Sequence, residues 1–140
     1  MRFSFLMSIS KIREFSNKSI NSILNQNYNQ DFELFIISDG LKKQELSYFL
    51  EKNFKNNENY KYIKTFSNNK NLGLTKSLNI GLKLCKGDFI IRIDDDDICS
   101  NDRLKELSSI IDNNNNIKVI TSSYLLINRY DKIKKKNCHL

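Results

Sequence analysis

Four consecutive aspartates, at positions 94–97, constrain the fold of this chain more than any other stretch. Residues 89–93, directly before them, are mostly apolar and rich in β-branched side chains, which predicts a buried strand. Adjacent carboxylates at the end of such a strand repel one another, and a divalent cation that prefers hard oxygen ligands, Mg²⁺ or Mn²⁺, would relieve that repulsion. The alternative is that some of them cap a helix beginning near Arg103, although Asp102 can supply that cap alone.

The composition predicts one soluble domain. A chain of 140 residues, 39% hydrophobic and 28% charged, can bury a single core. No apolar run approaches the roughly 18 residues of a membrane span, and residues 1–7 are too short and too strand-like for a secretory signal. We therefore expect a cytoplasmic protein. Three cysteines without CxxC spacing and a single histidine, His139, favour neither a disulfide framework, nor a zinc site, nor a histidine-dependent triad.

The net charge of +7 is concentrated towards the carboxyl terminus. Residues 129–140 contain five lysines or arginines and one aspartate, so they carry +4 and residues 1–128 carry only +3. We divide the chain accordingly into a domain, residues 1–128, and a basic tail, residues 129–140. Such a tail favours peripheral contact with an anionic lipid surface, such as the inner face of a membrane, or nonspecific contact with nucleic acid; the alternative is a charge run that is simply solvated. The small charge on the domain predicts no specific nucleic-acid partner.

Apolar periodicity predicts strands that alternate with helices. Strands are predicted at residues 3–9, 32–37, 60–66 and 88–93, with one or two more within 117–127. Helices are predicted at residues 15–27, 41–53, 73–85 and 103–112. One apolar stripe of the third helix contains Leu74, Leu78, Leu82 and Cys85. Gly87 is expected to follow that helix as a left-handed cap. The alternation is typical of βαβ units, in which helices flank a parallel sheet.

Ser8, Asp39 and the acidic run, residues 94–97, each fall at the carboxyl end of a predicted strand. Ligands of parallel sheets bind beyond these ends, near the point where the strand order reverses. The alternative for Asp39 is a turn residue whose side chain bonds to the backbone. The sequence contains no glycine-rich phosphate loop, so a metal would have to neutralise bound phosphates.

Five segments, in this order, resemble the nucleotide-sugar half of a family 2 glycosyltransferase with the GT-A fold. They are residues 3–9, 19–26, 32–40, 71–81 and 86–98, with Arg103 and Leu104 beyond. The resemblance covers residues 3–125. It implies an α/β, Rossmann-like fold with a mostly parallel sheet flanked by helices, in which residues 1–128 form a donor-binding domain.

The resemblance implies a role for each acidic position. Asp39 matches the family's residue that hydrogen-bonds the nucleotide base. Asp94, Asp95 and Asp96 match the DxD motif: Asp94 and Asp95 would face the nucleotide sugar, and Asp96, with Asp94, would hold Mn²⁺ or Mg²⁺. The metal neutralises the diphosphate leaving group of a nucleoside-diphosphate sugar, and a UDP-sugar is the favoured donor.

Two further positions are implied as nucleotide-sugar-binding. Lys76 lies in the segment near the donor, although an exposed helix lysine is the alternative. Ser8 lies where the family's first strand meets the nucleotide, but residues 8–11 depart from the family's usual turn. Ser38 replaces an acidic residue often found before the aspartate that aligns with Asp39.

The resemblance also implies what this chain lacks. Family members invert at the anomeric carbon, and a second half, downstream of the DxD motif, binds the acceptor and supplies the base that deprotonates it. No such base is found here, so the chain looks truncated and a polysaccharide or lipid-linked glycan acceptor has no site. The alternatives are a non-catalytic donor-binding remnant and a Mg²⁺-dependent phosphoryl-transfer or nucleic-acid enzyme. Sheet edges that the second half would cover favour a homo-oligomer.

Overall fold

The computed structural model describes residues 2–114, 116–128, 130 and 132–137. The chain divides into two compact units, with the boundary between Ser108 and Ser109. The first unit contains a four-stranded sheet and the helices up to residue 84, and the second contains a two-stranded hairpin; the last helix, Arg103–Asp112, crosses the boundary.

The sheet of the first unit is parallel. Its strands are β1 (Phe3–Ile9), β2 (Phe32–Asp39), β3 (Ile63–Asn68) and β4 (Phe89–Arg92), in the spatial order β3-β2-β1-β4. β1 and β2 are central and almost wholly buried on both faces, as expected when successive side chains of a covered strand point to opposite faces. The strand order reverses between β1 and β4, so the carboxyl ends of these strands mark the edge where ligands of such sheets bind.

Four helices follow the strands, each within three residues of its predicted bounds. They are α1 (Glu14–Leu24), α2 (Lys43–Phe54), α3 (Leu74–Leu84) and α4 (Arg103–Asp112). α1 ends earlier than the apolar pattern predicts: the backbone of Asn25 leaves the helical conformation, while its N–H and its side-chain amide both donate to Asn21 O, at 3.1 and 2.9 Å. In the part of the chain that the structure describes, no helix is both long and apolar enough to cross a bilayer.

The third strand begins later than predicted. Residues 60–62 belong to a 3-10 helix, Glu58–Tyr62, and β3 starts at Ile63. Asn57 starts the 3-10 helix by accepting a hydrogen bond from Asn59 N at 2.8 Å. This local side-chain hydrogen bond competes with strand formation, and the alternation of apolar residues in the sequence does not reveal it.

α3 packs on the sheet through small residues. Its buried residues are Ser77 and Gly81, whereas Leu74 and Leu82 of the predicted stripe are 47% and 49% exposed. A Cβ at Gly81 would overlap side chains of β1 and β2, so the helix approaches the sheet more closely than a row of leucines would permit. The predicted stripe is correct for the two residues that do pack against the core, Leu78 and Cys85.

Contrary to the prediction, Gly87 is not a left-handed cap. Among the described residues the glycines with positive φ are Gly40 and Gly73, and α3 ends at Cys85 in an extended conformation. Gly87 is required for a different reason. A Cβ at this position would lie 2.5 Å from Ser4 N and 2.6 Å from Phe3 C, both backbone atoms of β1.

A buried glutamate holds the connection that leads into β4. Glu33 is 1% exposed, and its Oε1 accepts hydrogen bonds from Ser4 Oγ at 2.5 Å and Lys86 N at 2.6 Å. Gly87 N donates in turn to Ser4 Oγ at 2.7 Å. Burial, followed by the negative charge of Glu33, raises the pKa of the Cys85 thiol to about 11. Cys85 is therefore a protonated packing residue at neutral pH and not a nucleophile.

The second unit contains an antiparallel hairpin of β5 (Tyr124–Ile127) and β6 (Ile133–Asn137). Asn128 organises its turn, since its Oδ1 accepts hydrogen bonds from Tyr130 N and Lys132 N at 2.9 and 3.0 Å. Residues 117–123 form no strand, and β6 lies inside the segment predicted as a basic tail. β6 is rich in lysine, so apolar periodicity does not predict it. It pairs with β5 through the backbone. The boundary predicted after residue 128 stays a prediction.

Gly87→Ala is expected to lower the free energy of unfolding by about 1–3 kcal/mol, because backbone atoms of β1 cannot move aside for a new methyl group as a side chain could. Urea denaturation measures the change. Asp88→Ala, at the exposed neighbouring position, is the control and should change this free energy by less than about 0.5 kcal/mol. If Gly87→Ala were as stable as the parent chain, the close approach of this segment to β1 would be wrong.

Candidate functional site

Ser8, Asp39 and the acidic run lie at the carboxyl edge of the sheet, as predicted. Ser8 is half-buried near the end of β1, and Asp39 is the last residue of β2, where it pairs in register with Asn68 of β3. The acidic run begins two residues after the end of β4. Because the strands are parallel, these ends share one edge. All of them belong to the first unit.

The carboxylate of Asp39 holds the segment that leads into α3. Its Oδ1 accepts hydrogen bonds from Leu72 N at 2.7 Å and Asn68 Nδ2 at 3.0 Å, and its Oδ2 accepts one from Gly73 N at 2.9 Å. Asp39 is 3% exposed. It therefore does bond to backbone, as the turn-residue alternative predicts, but to a segment 33 residues further along the chain.

These bonds keep Asp39 ionised. Burial acts to raise the pKa of its carboxyl, but the hydrogen bonds that it accepts, led by that from Leu72 N, outweigh burial, and the pKa is lowered overall. Donors aimed at a carboxylate favour its charged form. A negative charge is thus fixed just before the amino terminus of α3, where the helix dipole is positive.

Asn68 and Ser77 extend this cluster, and neither was identified from the sequence. Asn68 Nδ2 donates both to Asp39 and to Ser77 Oγ, the latter at 2.9 Å. Gly73 precedes α3 with a φ of 86°, which favours glycine. Lys76 lies in the first turn of α3 and is exposed. The available signal for Asn68 was its place at a strand end, polar and buried, beside the strand that carries Asp39.

A surface cavity of about 440 Å³ adjoins this cluster, within the range of roughly 300–1,000 Å³ found for small-molecule sites. Its lining includes Phe66, Asn68, Lys70, Leu72 and Ile80. It lies beside β3, the outer strand, and not where the strand order reverses. We therefore do not assign the predicted ligand to it.

Asp95 is the buried member of the acidic run. It is 8% exposed; Arg13 Nη1 lies 3.1 and 3.3 Å from its two carboxylate oxygens, and Ser16 Oγ donates to Oδ2 at 3.0 Å. Arg13 directly precedes α1, and Ser16 lies in the first turn of that helix. The charge of Asp95 is thus compensated inside the protein, which is the condition for burying a carboxylate.

Asp94 is partly exposed and pairs with Arg92. Arg92 Nη2 donates to both carboxylate oxygens, at 2.9 and 3.0 Å. The two side chains are 57% and 45% exposed, so water screens the ion pair, and such pairs contribute at most about 1 kcal/mol. A cation bound at Asp94 would therefore displace little stabilisation.

Asp96 and Asp97 are exposed. Within the described residues, the Asp96 carboxylate has no hydrogen-bond or ion-pair partner. Partial desolvation, followed by the negative charges of Asp94 and Asp96, raises the pKa of Asp97. The repulsion predicted within the acidic run therefore acts in the folded chain.

The acidic run offers a partial ligand set for a divalent cation. The described residues bring no three His, Cys, Asp or Glu side chains together as a ready metal site. Asp94 and Asp96 supply hard oxygen donors on an exposed loop. This donor set fits Mg²⁺ or Mn²⁺, since Mg²⁺ is commonly held by one or two carboxylates and completes its shell with phosphate oxygens and water.

A protein family matches the chain over most of its length. The family model for glycosyl transferase family 2 matches residues 14–137. The chain therefore belongs to glycosyl transferase family 2, as the resemblance in its sequence implies.

Similar proteins agree with this assignment. An uncharacterized glycosyltransferase of Haemophilus influenzae is 34% identical over 135 residues, 96% of this chain and 38% of that protein. The Escherichia coli UDP-Gal:alpha-D-GlcNAc-diphosphoundecaprenol beta-1,3-galactosyltransferase is 32% identical over 124 residues, 86% of this chain and 43% of that protein.

The fold agrees as well. The crystal structure of Staphylococcus aureus TarS 1–349 in complex with UDP-GlcNAc superposes with a TM-score of 0.70 at 23% identity, over 91% of this chain and 40% of that one. This likeness confirms the predicted GT-A fold. The match spans 38% and 43% of the length of the two bacterial glycosyltransferases and 40% of the fragment TarS 1–349.

Asp39→Asn is expected to lower the free energy of unfolding by about 1–3 kcal/mol at neutral pH, because an amide nitrogen would face an N–H group that now donates to a carboxylate. The folded-state pKa of Asp39 is lowered. Its stabilising contribution is therefore present above the unfolded pKa of about 3.9 and is lost as the pH falls through the folded value. The variant and the parent chain should differ most at neutral pH and converge in acid.

Urea unfolding at a series of pH values from about 3 to 7 measures this convergence. Asp88→Asn removes an exposed carboxylate directly before β4 and is the control, with little expected change at any pH. A difference between Asp39→Asn and the parent that stayed constant over the whole pH range would contradict the role given to the ionised carboxylate.

Proposed function

We propose that this chain is the donor-binding part of a glycosyltransferase and binds a nucleoside-diphosphate sugar, with UDP as the favoured nucleotide. The observation that carries the proposal is the arrangement of Asp39 and the acidic run at one edge of a family 2 sheet. Two relatives support the choice of nucleotide: TarS binds UDP-GlcNAc in its crystal structure, and the Escherichia coli relative is named for UDP-Gal.

Asp94 and Asp96 are the proposed metal ligands in a DxD motif. When bound there, Mn²⁺ or Mg²⁺ supplies positive charge to the diphosphate that leaves the sugar. Asp94 is available because its partner Arg92 is exposed, and Asp96 because its carboxylate is open to solvent.

Asp39 is proposed to accept a hydrogen bond from the nucleotide base. Oδ1 accepts two of the hydrogen bonds from the protein, from Leu72 N and Asn68 Nδ2, and Oδ2 accepts one, from Gly73 N. We propose that a base N–H bonds to Oδ2. Ser8 and Lys76 are the further proposed donor contacts, Ser8 at the end of β1 and Lys76 at the exposed start of α3.

Sugar transfer also needs a bound acceptor and a base that deprotonates it, and we assign neither role to a residue of this chain. We propose that the whole enzyme inverts the anomeric centre and acts on a polysaccharide or lipid-linked glycan. The Escherichia coli relative, named for a GlcNAc-diphosphoundecaprenol acceptor, supports the lipid-linked class. A donor-binding remnant without transfer activity is the alternative for the 140 residues alone.

The hairpin of the second unit supports a peripheral membrane location at the cytoplasmic face. All four residues of β5 are 38–47% exposed, Tyr130 and Ile133 are more exposed still, and the sequence of β6 is rich in lysine. Exposed apolar side chains beside lysines suit an anionic lipid surface. We also propose that the chain self-associates through β3 or β4, the outer strands of the sheet.

Calorimetric titration of UDP and of GDP, each with and without Mn²⁺, tests the donor proposal. We expect UDP to bind at least about tenfold more tightly with Mn²⁺ than without it, a difference of about 1.4 kcal/mol. Asp96→Asn should lose this dependence on Mn²⁺, because one of two proposed ligands is removed. Asp88→Asn, which removes an exposed carboxylate at the start of β4, should bind as the parent does.

Two outcomes would change the proposal. A folded sample that binds neither nucleotide, with or without Mn²⁺, would overturn it. Binding together with rapid transfer of the sugar to an acceptor would leave the donor site in place but would show that a base lies within these 140 residues.

A further inference from the structure

Several buried residues of α1 and its two ends are polar. Ser16 and Ser19 are wholly buried, and Ser22 and Gln26 are 8% and 6% exposed. Arg13 directly precedes the helix and Gln26 lies two residues beyond its end, and together with the three serines they recur every three or four residues along the chain. We call these five residues the polar face of α1. Buried hydroxyl and amide groups need hydrogen-bond partners, and the partners identify what this face holds.

Its first three residues bond to the acidic loop, residues 93–102, which joins β4 to α4. Arg13 and Ser16 contact the Asp95 carboxylate, and Ser19 Oγ donates to Asp94 O at 3.2 Å. The loop is therefore attached at the acidic run itself.

Its last two residues bond to the far end of the same loop. Ser22 Oγ accepts a hydrogen bond from Cys99 N at 3.0 Å, and Gln26 Nε2 donates to Ser100 O at 2.8 Å. Gln26 Oε1 accepts from Leu104 N at 3.0 Å, so it satisfies a free N–H in the first turn of α4. The polar face thus follows the loop from Asp94 to the start of the next helix.

We infer that the polar face of α1 is the positioning element of the acidic loop, and that Asp95 is a positioning residue bonded to Arg13 and Ser16 and not a contact of the nucleotide sugar. This inference extends the proposed function, on which it rests for its ligand. Asp95 faces α1 and is buried, whereas Asp94 and Asp96 on either side of it are accessible. The direction of the side chains alternates along the loop. The middle carboxylate therefore points inward, towards α1, and the carboxylates on either side of it point outward.

Hydrogen exchange tests the positioning role without any ligand. In Ser22→Ala and in Gln26→Met, which keeps the volume of the side chain, the Cys99 and Leu104 amides should exchange about tenfold faster, as expected when one buried hydrogen bond is lost. The amides of β1 and β2 should keep their rates. Asn21→Ala, at an exposed position of α1, is the matched control and should change neither set. Unchanged loop rates, or equal acceleration throughout the sheet, would overturn the inference.

A double-mutant cycle tests the role of Asp95. Arg13→Met and Asp95→Asn should each weaken Mn²⁺-dependent UDP binding about tenfold, and the double variant should bind no more weakly than the weaker single one, because contacting residues couple. Both single variants should also speed exchange of the loop amides. If Asp95 contacts the nucleotide directly, Asp95→Asn alone will weaken binding while loop exchange stays as in the parent chain, which would overturn the assignment.

The two experiments separate the two proposals. If the parent chain binds no UDP, the proposed function fails, and the exchange rates of the Arg13 and Asp95 variants still decide whether these residues hold the loop. If UDP binds but the exchange rates of the loop amides do not respond to any of the four substitutions, the donor site stands and the positioning role fails.

Discussion

The attachment of the acidic loop to α1 is the constraint on which the rest of the site depends. The buried residues of α1 include apolar side chains, with Ile20, Ile23 and Leu24 at zero exposure, and polar side chains that bond to the acidic loop and the start of α4. Apolar burial is non-directional, so it fixes only the distance of the helix from its neighbours. Hydrogen bonds are directional, so the polar side chains set where each part of the loop lies. A loop with four carboxylates could not be held by apolar burial, because its charges must stay solvated or paired.

That attachment gives the four aspartates different environments. Asp95 is neutralised by Arg13, Asp94 pairs weakly with exposed Arg92, and Asp96 faces solvent. Desolvation and the negative charges of Asp94 and Asp96 raise the pKa of Asp97. A run of identical residues therefore contains one buried, paired carboxylate, two accessible carboxylates and one carboxylate with a raised pKa. Which residue is which depends on the direction of each side chain, and the sequence does not contain that information.

The sequence predicted the parts of this structure that follow from periodicity. Alternating apolar segments located β1, β2 and β4 and all four helices, and their order implied a parallel sheet with Asp39 and the acidic run at one edge. Periodicity failed where local polar bonds or close packing decide the structure. Asn57 starts a 3-10 helix where a strand was predicted, and Gly87 lies against the backbone of β1 where a cap was predicted. The buried polar partner Ser16 has no sequence pattern of its own, and the one signal for Asn68 was its place just after a predicted strand, so neither was identified from the sequence.

The position of α3 is likewise set by polar bonds, in this case from two carboxylates of β2. Glu33 and Asp39 are buried carboxylates six residues apart, so they lie about 20 Å apart along the strand. α3 has 11 residues and is about 16 Å long, and each carboxylate bonds to backbone N–H groups just beyond one of its ends: Asp39 before it and Glu33 after it. Gly81, which has no side chain, lets the helix pack closely on the sheet between these two attachments. The charge of Asp39 also interacts favourably with the positive end of the helix dipole. β2 therefore positions α3 at the edge where the donor is proposed to bind, and α1 positions the acidic loop at the same edge.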